Sequence, residues 1–305
     1  MIDIIGKRFW FLLGSGIVNL ICIISLASFG LKPGIELSSG SMLTVSFEQT
    51  VTEADLKQEL TNLGYTGTIV QRTAAGDFLI RTSELTSDAK TALEEALKTR
   101  FGPITESEFY SISPMVAAET TRNAGIAIGV ASIGILLYIT LAFRKMPNPF
   151  RYGACAVIAL GHDALVAIGI FSMLSHMLGW EINLMFITGI LAAVGYSVND
   201  TVVVFDRIRE NLRLGISPSF EVVVNTSVVE TLGRSLNTSF TTLITVLALV
   251  LFVGASIQNF AVVLLIGIVT GTYSSIGIAS GLLVIWEKGE WGRLFRRRPL
   301  PAKSQ

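Results

Sequence analysis

The chain alternates between six long apolar stretches and one segment of shorter hydrophobic period. A bilayer core about 30 Å thick needs roughly 20 apolar residues at a helical rise of about 1.5 Å each. Phe9–Phe29, Gly125–Phe143, Tyr152–Leu174, Leu184–Phe205, Asn237–Val253 and Phe260–Ile285 meet that need. The fifth is short by itself, so its helix is expected to start earlier, near Thr231. Ser25 and Ala27 give the first stretch the look of a signal-peptide cleavage site. Its apolar run outlasts a typical signal core, however, and five more follow, so it reads as an uncleaved helix.

Between the first two stretches the period changes. Met42–Phe47 alternates like a strand, and Thr52–Leu63 has helical spacing through Ala54, Leu56, Leu60 and Leu63, with Thr52 as N-cap and Gly64 as stop. Thr68–Arg72 and Asp77–Thr82 are strands joined at Ala74-Ala75-Gly76, a hairpin signal. Thr86–Arg100 is helical again, with Leu93, Ala96 and Leu97 on one face, and Ile104–Tyr110 is a last strand. The order βαββαβ predicts a ferredoxin-like domain. It contains no His or Cys and no catalytic dyad, which favours a binding or gripping module. The expected organisation is helix 1 over 1–29, an outer α/β domain over 30–120, helices 2–6 over 121–286 and a basic tail over 287–305.

Composition agrees with lipid as the solvent, since only 15% of the 305 residues are charged, against roughly a quarter in soluble domains. Cys22 and Cys155 lie inside apolar runs and read as small packing residues. Net charge is zero but unevenly spread: residues 30–118 hold twelve acids and seven bases of the 23 of each. Lys7, Arg8, Arg144, Lys145, Arg151, Arg207, Arg209, Arg213, Lys288 and the arginines from Arg293 to Arg298 fall on alternate loops. The positive-inside rule then puts both termini in the cytoplasm and the α/β domain outside. Lys32 and Arg122 are exceptions able to snorkel at the outer interface. Arg296-Arg297-Arg298 reads as a topology anchor and not as a nucleic-acid site.

Ionisable residues inside a bilayer cost several kcal/mol by most estimates and are functional candidates by default. Asp163, preceded by His162, lies roughly 18 Å into the third span at helical rise. Asp200, preceded by Asn199, lies in the inner part of the fourth, and Arg234 opens the fifth. Helical spacing aligns Ala159, Asp163, Ala167 and Ile170; Tyr196, Asp200, Val204 and Arg207; and Arg234, Thr238, Thr241 and Thr245. Asp200 and Arg234 are expected to pair, either as a proton site or as a static pin, with Asn199, His162, Asp163, Thr238 and Thr241 as supporting polar groups. His176 is placed at the outer loop, in solvent. Gly267-x-x-x-Gly271 and Gly277-x-x-x-Gly281 predict close helix packing in the sixth span.

Several of these residues form a recognisable set. The run from Gly195 to Asn211 (Gly-Tyr-Ser-Val-Asn-Asp-Thr-Val-Val-Val-Phe-Asp-Arg-Ile-Arg-Glu-Asn) resembles the fourth-span signature of SecF, a family of membrane subunits that assist Sec-dependent protein export. Gly161-His162-Asp163 resembles its third-span motif, and Thr231-Leu-Gly-Arg234-Ser followed by Thr238-Ser-Phe-Thr-Thr242 is similar to its fifth-span entry. Ile35–Ser41 matches the place of an acidic residue and a Gly-Gly pair, with Glu36 where Asp is usual and Ser39 where the first Gly is expected.

The resemblance covers nearly the whole chain. It implies a six-helix half of a transporter of the RND superfamily, paired with a SecD partner and acting with the SecYEG translocon on exported unfolded polypeptides. It further implies a bacterial inner membrane, or a thylakoid-type one, with no bound cofactor and the proton gradient as energy source. In the family the positions matching Asp200 and Arg234 belong to the proton-conducting site, with a further acid from SecD. Other readings are an RND-type small-molecule or lipid exporter half and a structural translocon scaffold. Gly195-Tyr196-Ser197 also resembles a rhomboid protease motif, but Val198 replaces the expected glycine, and no enzyme activity is expected.

Overall fold

The computed structural model describes residues 2–72, 76–252 and 255–291. Ala74 and Ala75 of the expected hairpin turn, Val253 and Gly254 at the end of the fifth apolar stretch, and Arg293 to Arg298 of the basic tail lie outside the described residues. The described chain divides into two units: residues 32–126 with 181–184, and a helical unit formed by 1–31, 127–180 and 185 onward.

The first unit has the element order the periodicity predicts. It comprises a short helix α1′ over Ile35–Ser38, β1 (Gly40–Phe47), a helix over Glu53–Asn62, β2 (Ile69–Arg72), β3 (Phe78–Thr82), a helix over Ser87–Phe101 and β4 (Ile104–Ile112). The strands are antiparallel in the order β2-β3-β1-β4, the ferredoxin-like arrangement. Alternation sends Leu43 and Val45 of β1 and Phe78 and Ile80 of β3 to one face, where Leu56, Leu60, Leu93 and Leu97 of the two helices cover them. Thr52 and Thr86 cap the helices, their hydroxyls accepting the N–H of Asp55 at 3.2 Å and of Ala89 at 3.3 Å. Leu63, expected on the inner face, is exposed, because its helix ends at Asn62. The Ile35–Ser38 helix was not legible in the hydrophobic pattern.

Residues 181–184 join this unit through hydrogen bonds. Gly34 N–H donates to the Ile182 carbonyl and Ile182 N–H to the Lys32 carbonyl, both at 2.8 Å. The Glu36 carboxylate accepts the Leu184 N–H at 2.5 Å, and Arg81 pairs with Glu181. Burial holds the Arg81 pKa below its ordinary value, with the charge of Glu36 opposing the shift. Ser39 has φ +68° and Gly40 φ +126°, and a Cβ on Gly40 would lie 2.7 Å from the Thr82 carbonyl. The double-glycine position is therefore a left-handed turn against β3, and Ser39 occupies it under strain.

The second unit contains the helices long and apolar enough to cross a membrane, six among the described residues. We number them α1 (Arg8–Phe29), α2 (Pro114–Ala142, which starts in the first unit), α3 (Pro149–Leu178), α4 (Leu184–Leu214), α5 (Phe220–Phe252) and a last span made of α6 (Ala255–Ser274), a π-helical turn over Ser275–Ala279 and α7 (Ser280–Lys288). Three helices outrun the apolar stretches the furthest. α2 starts at Pro114 instead of Gly125, α4 continues to Leu214 past Phe205, and α5 starts at Phe220. In α4 and α5 the extra turns are amphipathic, with Ile208, Val223, Val224 and Val228 buried at helical spacing and polar residues between them.

Small residues set the helix contacts. A Cβ on Gly267 would lie 2.2 Å from Ala193 Cβ and one on Gly271 2.7 Å from Ser197 Cβ, so α6 and α4 meet along this pair. Gly277 and Gly281 face Phe11 and Arg8 of α1, and Gly169 of α3 faces Cys22. Cys22 and Cys155 are buried free thiols at packing positions. Charged helix ends gather at one end of the bundle. Arg8 bonds Glu221 at 2.6 Å and Glu290 at 2.5 Å, Lys288 pairs with Glu221, and Arg151 bonds Glu287 at 2.5 Å.

Candidate functional site

Two carboxyl groups lie in the interior of the helical unit. Asp163 is on the face of α3 that contains Ala159 and Ala167, as the spacing predicts, and only 4% of it is exposed. Its Oδ2 accepts hydroxyl hydrogen bonds from Ser197 of α4 at 2.6 Å and Ser274 of α6 at 2.7 Å. Its Oδ1 lies 3.0 Å from His162 Nδ1. A single carboxyl group thus ties three helices together.

Asp200 is 7% exposed on α4. Its Oδ1 accepts the Ser235 hydroxyl of α5 at 2.5 Å, while its Oδ2 is buried with no partner among the described residues. An ionised Asp200 leaves that oxygen unmet, and a protonated one leaves an O–H without an acceptor. Either state is incomplete within the subunit, and an unmet buried polar atom costs about 1–3 kcal/mol.

The expected Asp200–Arg234 ion pair is not formed. A helix turns about 100° per residue, and Thr231, Ser235 and Ser239 are the buried face of α5, which leaves Arg234 pointing outward. Ser235 takes the contact instead. Thr238, Thr241 and Thr245 are exposed beside Arg234 as an outward stripe, not an internal lining. Their hydroxyls donate to carbonyls one turn back, Thr238 to Arg234 at 2.9 Å and Thr241 to Asn237 at 3.0 Å. The stripe's hydroxyls are therefore met within the helix, and among the described residues no carboxylate lies within 4.0 Å of the Arg234 guanidinium. Asn199 is also exposed.

Sequence reasoning passed over the hydroxyl groups that complete the interior. Thr201 Oγ1 and Ser275 Oγ lie 2.7 Å apart, Ser239 and Thr272 2.6 Å apart, and the Tyr196 hydroxyl donates to Ser239 at 3.2 Å. The available signal was hydroxyl residues at one-turn spacing in apolar helices: Ser197 and Thr201, and Ser235 and Ser239. The π turn starts directly after Ser274, and such bulges are frequent at functional sites. Ser197, the serine of the protease-like motif, donates its hydroxyl to Asp163 Oδ2. His176 is exposed and outside the interior, but it lies on the last turn of α3 and not in a loop, with its ring stacked on Phe29 at 4.3 Å.

The family model described as protein export membrane protein SecD/SecF, C-terminal, matches residues 92–289, and the SecD/SecF GG motif matches residues 24–51. Protein translocase subunit SecF of Thermobaculum terrenum is 45% identical, over 97% of this chain and 98% of that protein. SecF of Anaerolinea thermophila is 39% identical over the full length of both. The chain is also similar to the crystal structure of SecDF from Thermus thermophilus, described as a translocon-associated membrane protein, with a TM-score of 0.80 and 29% identity. That match covers 94% of this chain and 39% of the SecDF chain.

Proposed function

Since this chain belongs to the SecD/SecF family of protein export membrane proteins, we propose that it is an auxiliary subunit of the Sec translocase that joins a SecD-related chain and uses the proton gradient, at Asp200, to promote export of unfolded polypeptides. The observation that carries the reading is the incomplete carboxyl site. Asp200 has one buried oxygen without a partner, and Arg234 stands exposed on α5 beside a hydroxyl stripe. An unpaired guanidinium facing hydrocarbon is costly, so a partner surface that covers it and supplies an acid is the economical arrangement. B. subtilis SecDF, 32% identical over 94% of this chain, is a fused protein of which this chain spans 38%, which supports a SecD-like remainder as that partner.

Proton uptake at Asp200 would change its bond to Ser235 and its relation to the partner acid and Arg234. α4 and α5 would then shift against each other, and the α/β domain would transmit that motion to an emerging chain. The basic helix ends collected at one end of the bundle support cytoplasmic termini in a bacterial inner membrane. The reading requires no bound cofactor and no enzymatic step, and SecYEG is the translocon with which it would act.

Asp200→Asn tests it, because the amide keeps the shape but cannot titrate. The expected outcome is loss of gradient-stimulated precursor secretion with near-normal membrane abundance, in cells lacking the native protein. Arg234→Lys keeps the charge but loses the planar fork and should retain partial activity. Normal, gradient-sensitive secretion from Asp200→Asn would leave the static-pin reading in its place.

A further inference from the structure

His162 and Asp163 take no part in the Asp200 reading, yet they form a buried ionisable pair in the bundle. His162 is 8% exposed and Asp163 4% exposed. The carboxylate accepts three hydrogen bonds, from Ser197 and Ser274 on Oδ2 and from the imidazole on Oδ1. With Asp163 ionised its carboxylate can only accept, and Nδ1 then carries the hydrogen of that last bond. This fixes the tautomer, as a carboxylate does for the histidines of metal sites and catalytic triads. The three donors take up about three of the carboxylate's four lone-pair sites, two of them on Oδ2. The atom left open is His162 Nε2, which is buried and has no hydrogen-bond partner.

We infer that His162 and Asp163 form a second proton-exchange site in this subunit, with Nε2 as the atom that gains and loses the proton and Asp163 as the group that orients and balances it. The step balances simply: a proton adds to the Nε2 lone pair, the ring becomes an imidazolium, and the net charge of the pair goes from −1 to zero. No bond within the serine cluster breaks. Among the described residues no lysine or arginine lies within 4.0 Å of the Asp163 carboxylate, so the imidazolium is its only available counter-charge.

Ionisable groups on the helices packed around α3 are otherwise engaged. On α6, the Tyr273 hydroxyl donates to the Phe11 carbonyl at 2.9 Å and accepts from Ser15 at 3.1 Å, and its ring centroid lies 6.5 Å from that of His162. Arg8 of α1 and Glu287 and Lys288 of α7 are held in the ion pairs at the bundle's end. Cys22 of α1 packs on Gly169, and Asp200 of α4 is bonded to Ser235. The site's link to the rest of the machine is Ser197, which precedes Asp200 by three residues on α4 and therefore lies about one turn away. Asp163 thus holds α4 from α3, one turn from the point where Asp200 of α4 holds α5.

The chain has two histidines, so protein labelled with ¹⁵N-histidine in lipid nanodiscs gives two imidazole signals, assigned with His176→Gln. The spectra are taken from about pH 5 to about pH 9, bracketing the ordinary imidazole range. The expected result is that His162 Nδ1 stays protonated throughout while Nε2 passes from protonated to bare. Asp163→Asn should release the tautomer, with both nitrogens then sharing the hydrogen in the neutral form, while Asp200→Asn should leave Nδ1 protonated and the Nε2 change in place. A bare Nδ1, or an Nε2 that stays in one state across the range, would overturn the inference. The wild-type spectra decide that point even if Asp163→Asn fails to fold. A failure of the Asp200 reading in the secretion assay would leave this result standing, so the two are tested separately.

Discussion

Replacing Ser235 by Ala removes the one hydrogen bond that the described residues give to the Asp200 side chain, and the size of the loss can be estimated. The Ser235 hydroxyl donates to Asp200 Oδ1, and such bonds are worth about 0.5–1.5 kcal/mol net between neutral groups and about 1.5–3 kcal/mol to a charged one in soluble proteins. Interhelical bonds measured in a membrane protein average about 0.6 kcal/mol and reach about 1.7, because the unfolded chain in lipid also finds partners. Asp200 has no second partner to share the load, which puts Ser235→Ala near the upper end of that scale, at about 1–2 kcal/mol. A double-mutant cycle isolates the term: Ser235→Ala and Asp200→Asn, singly and together, in the purified subunit unfolded reversibly in mixed micelles. The coupling should be about 1–2 kcal/mol. The matching cycle with Arg234→Gln should give coupling near zero, since Arg234 faces away from Asp200 in this chain. A larger coupling to Arg234 than to Ser235 would refute the assignment of the buried face of α5. Repeating both cycles with a SecD-like chain bound should raise the Arg234 term alone.

Other consequences are as direct. Ser39→Gly removes a side chain from a φ of +68°, where strain costs about 1–3 kcal/mol and glycine's extra unfolded freedom returns about 0.5–1. The domain over Leu37–Ser113 should fold alone as a soluble α/β unit, and Ser39→Gly should raise its melting temperature by several degrees in a circular-dichroism melt; an unchanged or lower midpoint counts against the strained turn. Gly267→Ala would drive its Cβ to 2.2 Å from Ala193 and should cost about 1–3 kcal/mol, whereas Gly134→Ala on α2, with nothing within 4 Å, should be neutral or better in the same detergent stability assay. Reporter fusions after Met146 and Leu214 should read cytoplasmic, and those after Thr82 and near Leu178 extracytoplasmic; a cytoplasmic signal at Thr82 would reverse the orientation.

Much of this molecule is written locally. Apolar stretches of membrane-crossing length, alternation in β1 and helical spacing through Leu56 and Leu60 are short-range patterns, and each imposes its element wherever the chain goes. Gly267 and Gly271 announce a close contact because only glycine lets backbones approach so nearly, and an acid among apolar residues announces a site because lipid cannot solvate it. Ser39 was legible as a departure from the usual Gly-Gly pair, but its strain became visible only with the φ angle.

Which partner each acid meets was decided by tertiary structure. Arg234 and Ser235 are neighbours in sequence, and the choice between them as the ligand of Asp200 turns on about 100° of helix rotation. That rotation is set by the packing of α5 through Val223, Val224, Val228 and Ser239, not by the charge of any one residue. Likewise Asp163 finds Ser197 and Ser274, 34 and 111 residues further along the chain, only once Gly267 and Gly271 have brought α6 against α4. The π turn after Ser274 is a change of backbone hydrogen-bond register inside an apolar run, where side-chain pattern has nothing to say. Arg8 looks like a topology signal in the sequence and becomes the centre of a buried ion cluster with Glu221 and Glu290, because folding brings together helix ends more than 200 residues apart. Hydrophobic period and residue type determine which segments cross and which groups cannot face lipid; only packing determines which way those groups turn and what they touch.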